Sequence, residues 1–283
     1  MYAPTLQRHL LNHSLAMALL SWNLHVFQPA LALRRLGLYA PPELGARPAP
    51  GVPPGGGRDL SLRHELPVLL PGEPEGYESV QAFDELAPLY EAIVKPFSDP
   101  VLEETVAQVR PLLSPRARVL DPSCGPGRAA IRLSRLVPEG EVVAADLSRG
   151  MVQAAHRNAG AAGCRNMAFF QADAACPPPA FDGYFDAIVC CLSFHHYPDG
   201  AAVARAFRRM LAPDGMVFIA DPGPRWFIEL ARTISVIADP GFVRHRTGEE
   251  FQALFLEAGF PSVYWVEALP GIGITIASAR KPP

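Results

Sequence analysis

No Cys-x-x-Cys pair occurs in this chain, although it carries five cysteines, at positions 124, 164, 176, 190 and 191. That excludes the usual zinc ribbon and a disulfide scaffold. It fits a reducing, cytoplasmic setting, and no metal site is expected. Net charge is scarce as well: a formal −3 implies no general affinity for nucleic acid. No internal repeat is visible, which leaves one large core, with room for an appendage in 283 residues. Hydrophobic residues make up 49% and charged residues 19%, the balance of a globular chain rather than a disordered one.

Charge is missing altogether from His9 to Leu33, between Arg8 and the pair Arg34-Arg35. The apolar residues there cover most of a helical wheel and leave a narrow stripe of Ser14, Ser21, His25 and Gln28. Asn12, His13, Asn23, His25 and Gln28 make a membrane span costly. A signal peptide fits poorly, because no small-residue cleavage site closes the run. Residues 1–38 are therefore expected to be an apolar helical segment. It would pack on the core, join two subunits into a homodimer, or lie on a membrane surface as a peripheral contact. Residues 40–57 hold six prolines and five glycines, so 39–76 reads as a linker. The catalytic or binding domain is then 77–283.

Helical patterns run over 80–94 and 101–113. From residue 117 onward, strand-like runs (117–121, 141–146, 167–172, 184–192, 215–220) alternate with helix-like runs (127–136, 149–160, 200–211, 247–258). Such alternation predicts parallel strands joined by helical crossovers. Two last β-like runs, 262–268 and 272–279, are separated by Leu269-Pro-Gly-Ile alone, which predicts that the final strand is antiparallel to its neighbour.

The chemistry concentrates at Val119-Leu-Asp-Pro-Ser-Cys-Gly-Pro-Gly-Arg128. A strand ends in Asp121, a glycine-bearing loop follows, and a helix starts. Gly125 and Gly127 let a ligand meet bare backbone, and the helix start offers free N–H groups. The glycines alone fit two cofactors, since Gly125 to Ala130 also satisfies Gly-x-Gly-x-x-Gly/Ala. In a dinucleotide site, however, the first glycine follows the strand directly. Here Asp-Pro-Ser-Cys intervenes, and a carboxylate at Asp121 suits an ammonium group better than a pyrophosphate. Asp146 ends the second strand, where an acid can accept both hydroxyls of a ribose. Asp173 follows the third, where an acid can accept from an adenine amino group.

In this order and spacing, the pieces resemble the class I S-adenosylmethionine-dependent methyltransferases over roughly residues 80–279. Asp121 to Gly127 is similar to the family's first motif, with Ser123 where glycine is common. Asp146-Leu147-Ser-x-x-Met151 resembles the ribose-binding stretch, and Asp173-Ala174 the adenine contact. Phe185 to Asp199 resembles the fourth strand and its loop, with Cys191 near the cofactor's edge. Leu211 to Ile219 resembles the turn into strand five, and Phe83 to Tyr90 the helix that closes over the cofactor.

The resemblance implies a Rossmann-like α/β fold: a seven-stranded, mostly parallel sheet with its last strand reversed and helices on both faces. It implies S-adenosylmethionine held by Tyr90, Asp121, Ser123, Cys124, Gly125, Gly127, Asp146, Leu147, Met151, Asp173, Ala174 and Cys191. It implies methyl transfer to a small, apolar acceptor of the quinone, lipid or secondary-metabolite type. His195 and His196 stand at the carboxyl end of the fourth strand; one of them, with His195 the first choice, is the candidate general base, and shaping the pocket is the alternative role. Two other functions compete. Nucleic-acid or protein methylation is disfavoured because the place of an Asn/Asp-Pro-Pro-Tyr/Phe element reads Leu192-Ser-Phe-His-His-Tyr. A non-catalytic scaffold keeping the fold is the other. The insertion after Asp221, with Trp226 and Phe227, is a candidate acceptor wall or, equally, a surface helix.

Overall fold

The computed structural model describes residues 80, 83, 98–225, 228–229, 241–268 and 274–282, the backbone alone for 274–278. Residues 1–38, the 39–76 linker, Tyr90, Trp226, Phe227 and the 269–272 turn lie outside the described residues.

Seven strands form one sheet in the order β3-β2-β1-β4-β5-β7-β6. They are β1 (Arg118–Asp121), β2 (Glu141–Asp146), β3 (Met167–Gln171), β4 (Phe185–Cys191), β5 (Leu211–Pro222), β6 (Val263–Ala268) and β7 (Ile274–Arg280). β1 pairs in parallel with β2 and β4, as do β2 with β3 and β4 with β5. β7 runs antiparallel to both β5 and β6. The expected sheet, with its last strand reversed, is the observed one.

Among the described residues, helices on the faces include α1 (98–109), α2 (Arg128–Ser134), α3 (Arg149–Ala161), α4 (Gly200–Met210) and α5 (Gly248–Glu257). Alternate residues along each strand enter opposite layers. Val119, Val142 and Val189 pack with Leu133 of α2 and Ala155 of α3. Leu120, Val143 and Ile188 pack with Phe207 of α4 and Phe251 and Phe255 of α5. Strands buried on both sides read as continuous apolar runs, which is why β2 and β4 are so plain in the sequence.

Two details depart from the expected boundaries. The 101–113 helix ends at 109 and closes in a 3-10 turn, Arg110–Leu112, because Pro111 supplies no backbone donor. Strand five begins at Leu211, not 215. Phe185 pairs with Leu211 and Ala187 with Met216, so Ala212 to Gly215 bulge out of the ladder. Asp214, at φ 61°, makes the bend.

Order reverses between β1 and β4: the chain runs outward through β2 and β3, then returns to β4. Loops leaving the two halves part there, at the carboxyl ends of the strands, and a cleft results.

Candidate functional site

A cavity of about 220 Å³ fills that cleft. Asp121 stands at its floor, at the end of β1. Desolvation of the buried carboxyl is the main force on its acidity, and repulsion from Asp146 adds to it. Together they push its pKa up to about 8. Oδ2 of Asp121 has no hydrogen-bond partner among the described residues.

Asp146, at the end of β2, organises the loop around itself. The backbone N–H of Gly125 donates to its Oδ2 at 2.8 Å, and that of Ser148 to its Oδ1 at 2.9 Å. Ser148 in turn caps α3, its hydroxyl accepting from the N–H of Met151 at 3.1 Å. One carboxylate thus ties the glycine loop to the start of the next helix. Asp173, beyond β3, uses Oδ1 to accept from the N–H of Ala175 at 2.8 Å.

The structure brings most of the expected residues to this one cavity: Asp121, Ser123, Cys124, Gly125, Asp146, Leu147, Met151, Asp173, Ala174 and Cys191 all line it. Gly127 does not. A Cβ on Gly127 would meet Cβ of Ala155 at 2.9 Å, so its small size serves the packing of α2 on α3. Gly125 is the opposite case, with nothing within 4 Å of a built Cβ. Its bare backbone faces open cavity. Cys124 and Cys191 contribute no thiolate: burial raises both, Cys191 to about 12.

His195 also falls away from the cavity wall. Its imidazole is buried behind the wall, with Nδ1 2.7 Å from Oδ1 of Asp221. His196 takes the lining position instead, its ring centroid 5.3 Å from that of Phe83. The cause is the turn after β4. Leu192 adopts φ 53°, and a 3-10 turn, Phe194–His196, sends the two adjacent imidazoles in different directions. The His195-His196 pair marked the place, while the turn decided which ring faces inward.

Tyr197 is a residue that sequence reading passed over. Its hydroxyl lies 2.6 Å from Oγ of Ser123, bridging the loops after β1 and β4, and burial pushes its pKa up. The Ser-for-Gly departure at 123 was the available signal, since a hydroxyl there needs a partner. A second is Asp99 of α1, which pairs with Arg128 and, at 2.6 Å, with Arg132. Those contacts fasten α1 over the start of α2, where Ser98 and Leu102 reach the cavity.

Residues 119–215 match a family model described as a methyltransferase domain. That span of the chain is similar to a methyltransferase domain. Among relatives, a nocamycin O-methyltransferase of Saccharothrix syringae is 34% identical over 144 residues, 50% of each chain. A demethylmenaquinone methyltransferase of Thermus thermophilus is 36% identical over 108 residues, 38% of this chain and 48% of its own. The chain spans about half the length of these curated relatives. The solved structure of a DhpI–SAH complex superposes on this chain with a TM-score of 0.57. It is 23% identical and covers 72% of this chain and 96% of its own. The YcgJ protein of Bacillus subtilis gives 0.54 at 21% identity, covering 65% and 98%. At such identities these two comparisons speak for the fold alone.

Two observations fit the methyl donor to this cavity. The buried Oδ2 of Asp121 lacks a partner among the described residues, and an ammonium group would satisfy it. The open space over Gly125 is a cradle that any side chain would fill.

Proposed function

We propose that this protein uses S-adenosylmethionine to methylate a small, apolar metabolite of the quinone, lipid or secondary-metabolite type. The observation that carries the reading is the convergence of Asp121, Asp146 and Asp173 on one cavity at the strand-order reversal. Asp121 would hold the ammonium of the donor's amino-acid part, Asp146 the ribose hydroxyls and Asp173 the adenine edge. Bound there, the donor supplies a sulfonium methyl group open to in-line attack by an acceptor O, N or C.

The chain's own part is to align and to exclude water. Away from the carboxylates the wall is apolar, with Val80, Phe83, Leu102, Leu192 and Pro198. An acceptor rich in hydrocarbon gains by burial there. His196 is the imidazole on this side of the cavity, and it is the group placed to take a proton from an acceptor hydroxyl. Relatives named for a demethylmenaquinone and for nocamycin support the acceptor class. The described cysteines are all unpaired, which supports a reducing, cytoplasmic location. No described helix is long and apolar enough to cross a membrane. The apolar segment 1–38 supports a lipophilic acceptor, a peripheral membrane contact or a homodimer. Deleting residues 1–57 tests this, and unchanged mass in solution and membrane partitioning would remove the last two.

Calorimetry of the full chain with S-adenosylhomocysteine tests the donor assignment. One site per chain is expected, and NAD is expected not to compete. Binding of NAD without S-adenosylhomocysteine would overturn the reading. Methyl transfer from labelled S-adenosylmethionine to a panel of quinols and macrocyclic hydroxyls tests the acceptor class.

A further inference from the structure

Behind the cavity wall lies a group that methyl transfer does not use. His195 comes from the turn after β4, Asp221 from the end of β5, and His245 from the loop ahead of α5. Their side chains offer ligand atoms that all lie within 4.8 Å of one another. All three residues are buried, at 7%, 0% and 7% exposure. No sequence spacing joins them, which is why no metal motif is visible in the chain.

The loop is pinned to the turn: the N–H groups of Val243 and Arg244 donate to the carbonyl of His195 at 3.0 and 3.2 Å. The two histidine rings stand 5.1 Å apart between centroids. Asp221 meets His195 through Oδ1, while its Oδ2 is buried with no hydrogen-bond partner among the described residues. A carboxylate oxygen left bare in this way is costly. Arg246 contributes a positive field at Asp221. Its guanidinium, however, packs over the Phe194 ring and donates to the Phe194 carbonyl at 3.4 Å, leaving Oδ2 unanswered.

Two neutral imidazoles and a carboxylate are the donor set of a borderline divalent ion. Thiolate, the softer ligand, is missing from the group, and the oxygen-rich shell that calcium and magnesium need is missing too. We propose that His195, Asp221 and His245 together bind one divalent transition-metal ion of the zinc–cobalt class. The ion ties three segments into one rigid wall. His196, whose ring centroid is 4.1 Å from that of His195, is held against the cavity by that wall. The role is one of positioning, because His195 does not line the cavity.

The test uses the tag-free full chain, stripped with a chelator and titrated with cobalt(II). One ion per chain is expected, with the visible absorption of a low-coordinate site and a higher thermal midpoint. His245→Ala should weaken binding by more than about 100-fold, since a ligand is worth more than the groups that orient it. S-adenosylhomocysteine binding by the same variant, read separately, reports whether the fold is intact. X-ray absorption on the zinc-loaded intact chain gives the ligand set without any variant. Two imidazoles with oxygen are expected. Sulfur in the shell, no binding, or unchanged affinity in a folded His245→Ala variant would each overturn the proposal.

Discussion

Gly125 and Gly127 stand two residues apart and answer to different constraints. Both have positive φ, so alanine at either is strained by about 1 kcal/mol. At Gly127 the methyl group also strikes Ala155, and Gly127→Ala is expected to lose a further 1–3 kcal/mol or so of stability in urea unfolding. Gly125→Ala is expected to cost little beyond the strain, yet to weaken S-adenosylhomocysteine binding at least about tenfold in calorimetry. Equal effects on stability and binding at the two sites would contradict this division.

Asp121 makes a second residue-scale case. Its pKa near 8 in the fold stands well above the ordinary carboxylate range. The neutral form therefore stabilises the fold fully below about pH 4, and that contribution is lost as pH rises toward 8. An arriving ammonium favours the ionised form. Donor binding at pH 6.5 should thus release a proton, visible as a dependence of the calorimetric heat on buffer ionisation enthalpy. Affinity should rise with pH and level off near 8, and Asp121→Asn should abolish both effects. The acid itself was legible from its place at a strand tip. Its protonation state was not, because burial depends on α1 and on loops far along the chain.

At the scale of elements, the strand ends and helix starts were read closely because each carries a local signal. Asp199 caps α4, its side chain accepting from the N–H of Ala202 at 2.8 Å. Thr247 and Glu250 form a capping box at α5. Thr247→Ala should cost about 1 kcal/mol in chemical unfolding. It should also loosen the 242–247 loop, so amide exchange of Val243 and Arg244 should quicken more than that of β1. The bulge in β5 and the 3-10 turn after β4 were not legible. Both follow from how neighbouring strands fit, and the turn is what sets His196, of the two candidate histidines, at the cavity.

At the scale of the whole molecule, parallel strands with helical crossovers were readable from alternation, and the reversed last strand from the short link before it, while the strand order came only with the structure. The cavity's far wall was not readable, since it is assembled from α1 and the loop after β4. A ligand that bridges these pieces should stabilise all of them together. At a hundredfold excess over its dissociation constant, S-adenosylhomocysteine should add about 2.7 kcal/mol and raise the thermal midpoint by a few degrees. A midpoint indifferent to the ligand would mean that the described wall does not close on it. The molecule's thiols add a practical consequence. Cys124 and Cys190 are buried, Cys191 is held neutral, Cys164 is half-covered, and Cys176 alone among them is exposed. A maleimide dye at neutral pH should therefore settle on Cys176, three residues past Asp173. A fluorophore at that position would sit beside the end of the cavity that Asp173 lines, and occupancy could be followed by light without altering any residue that lines it.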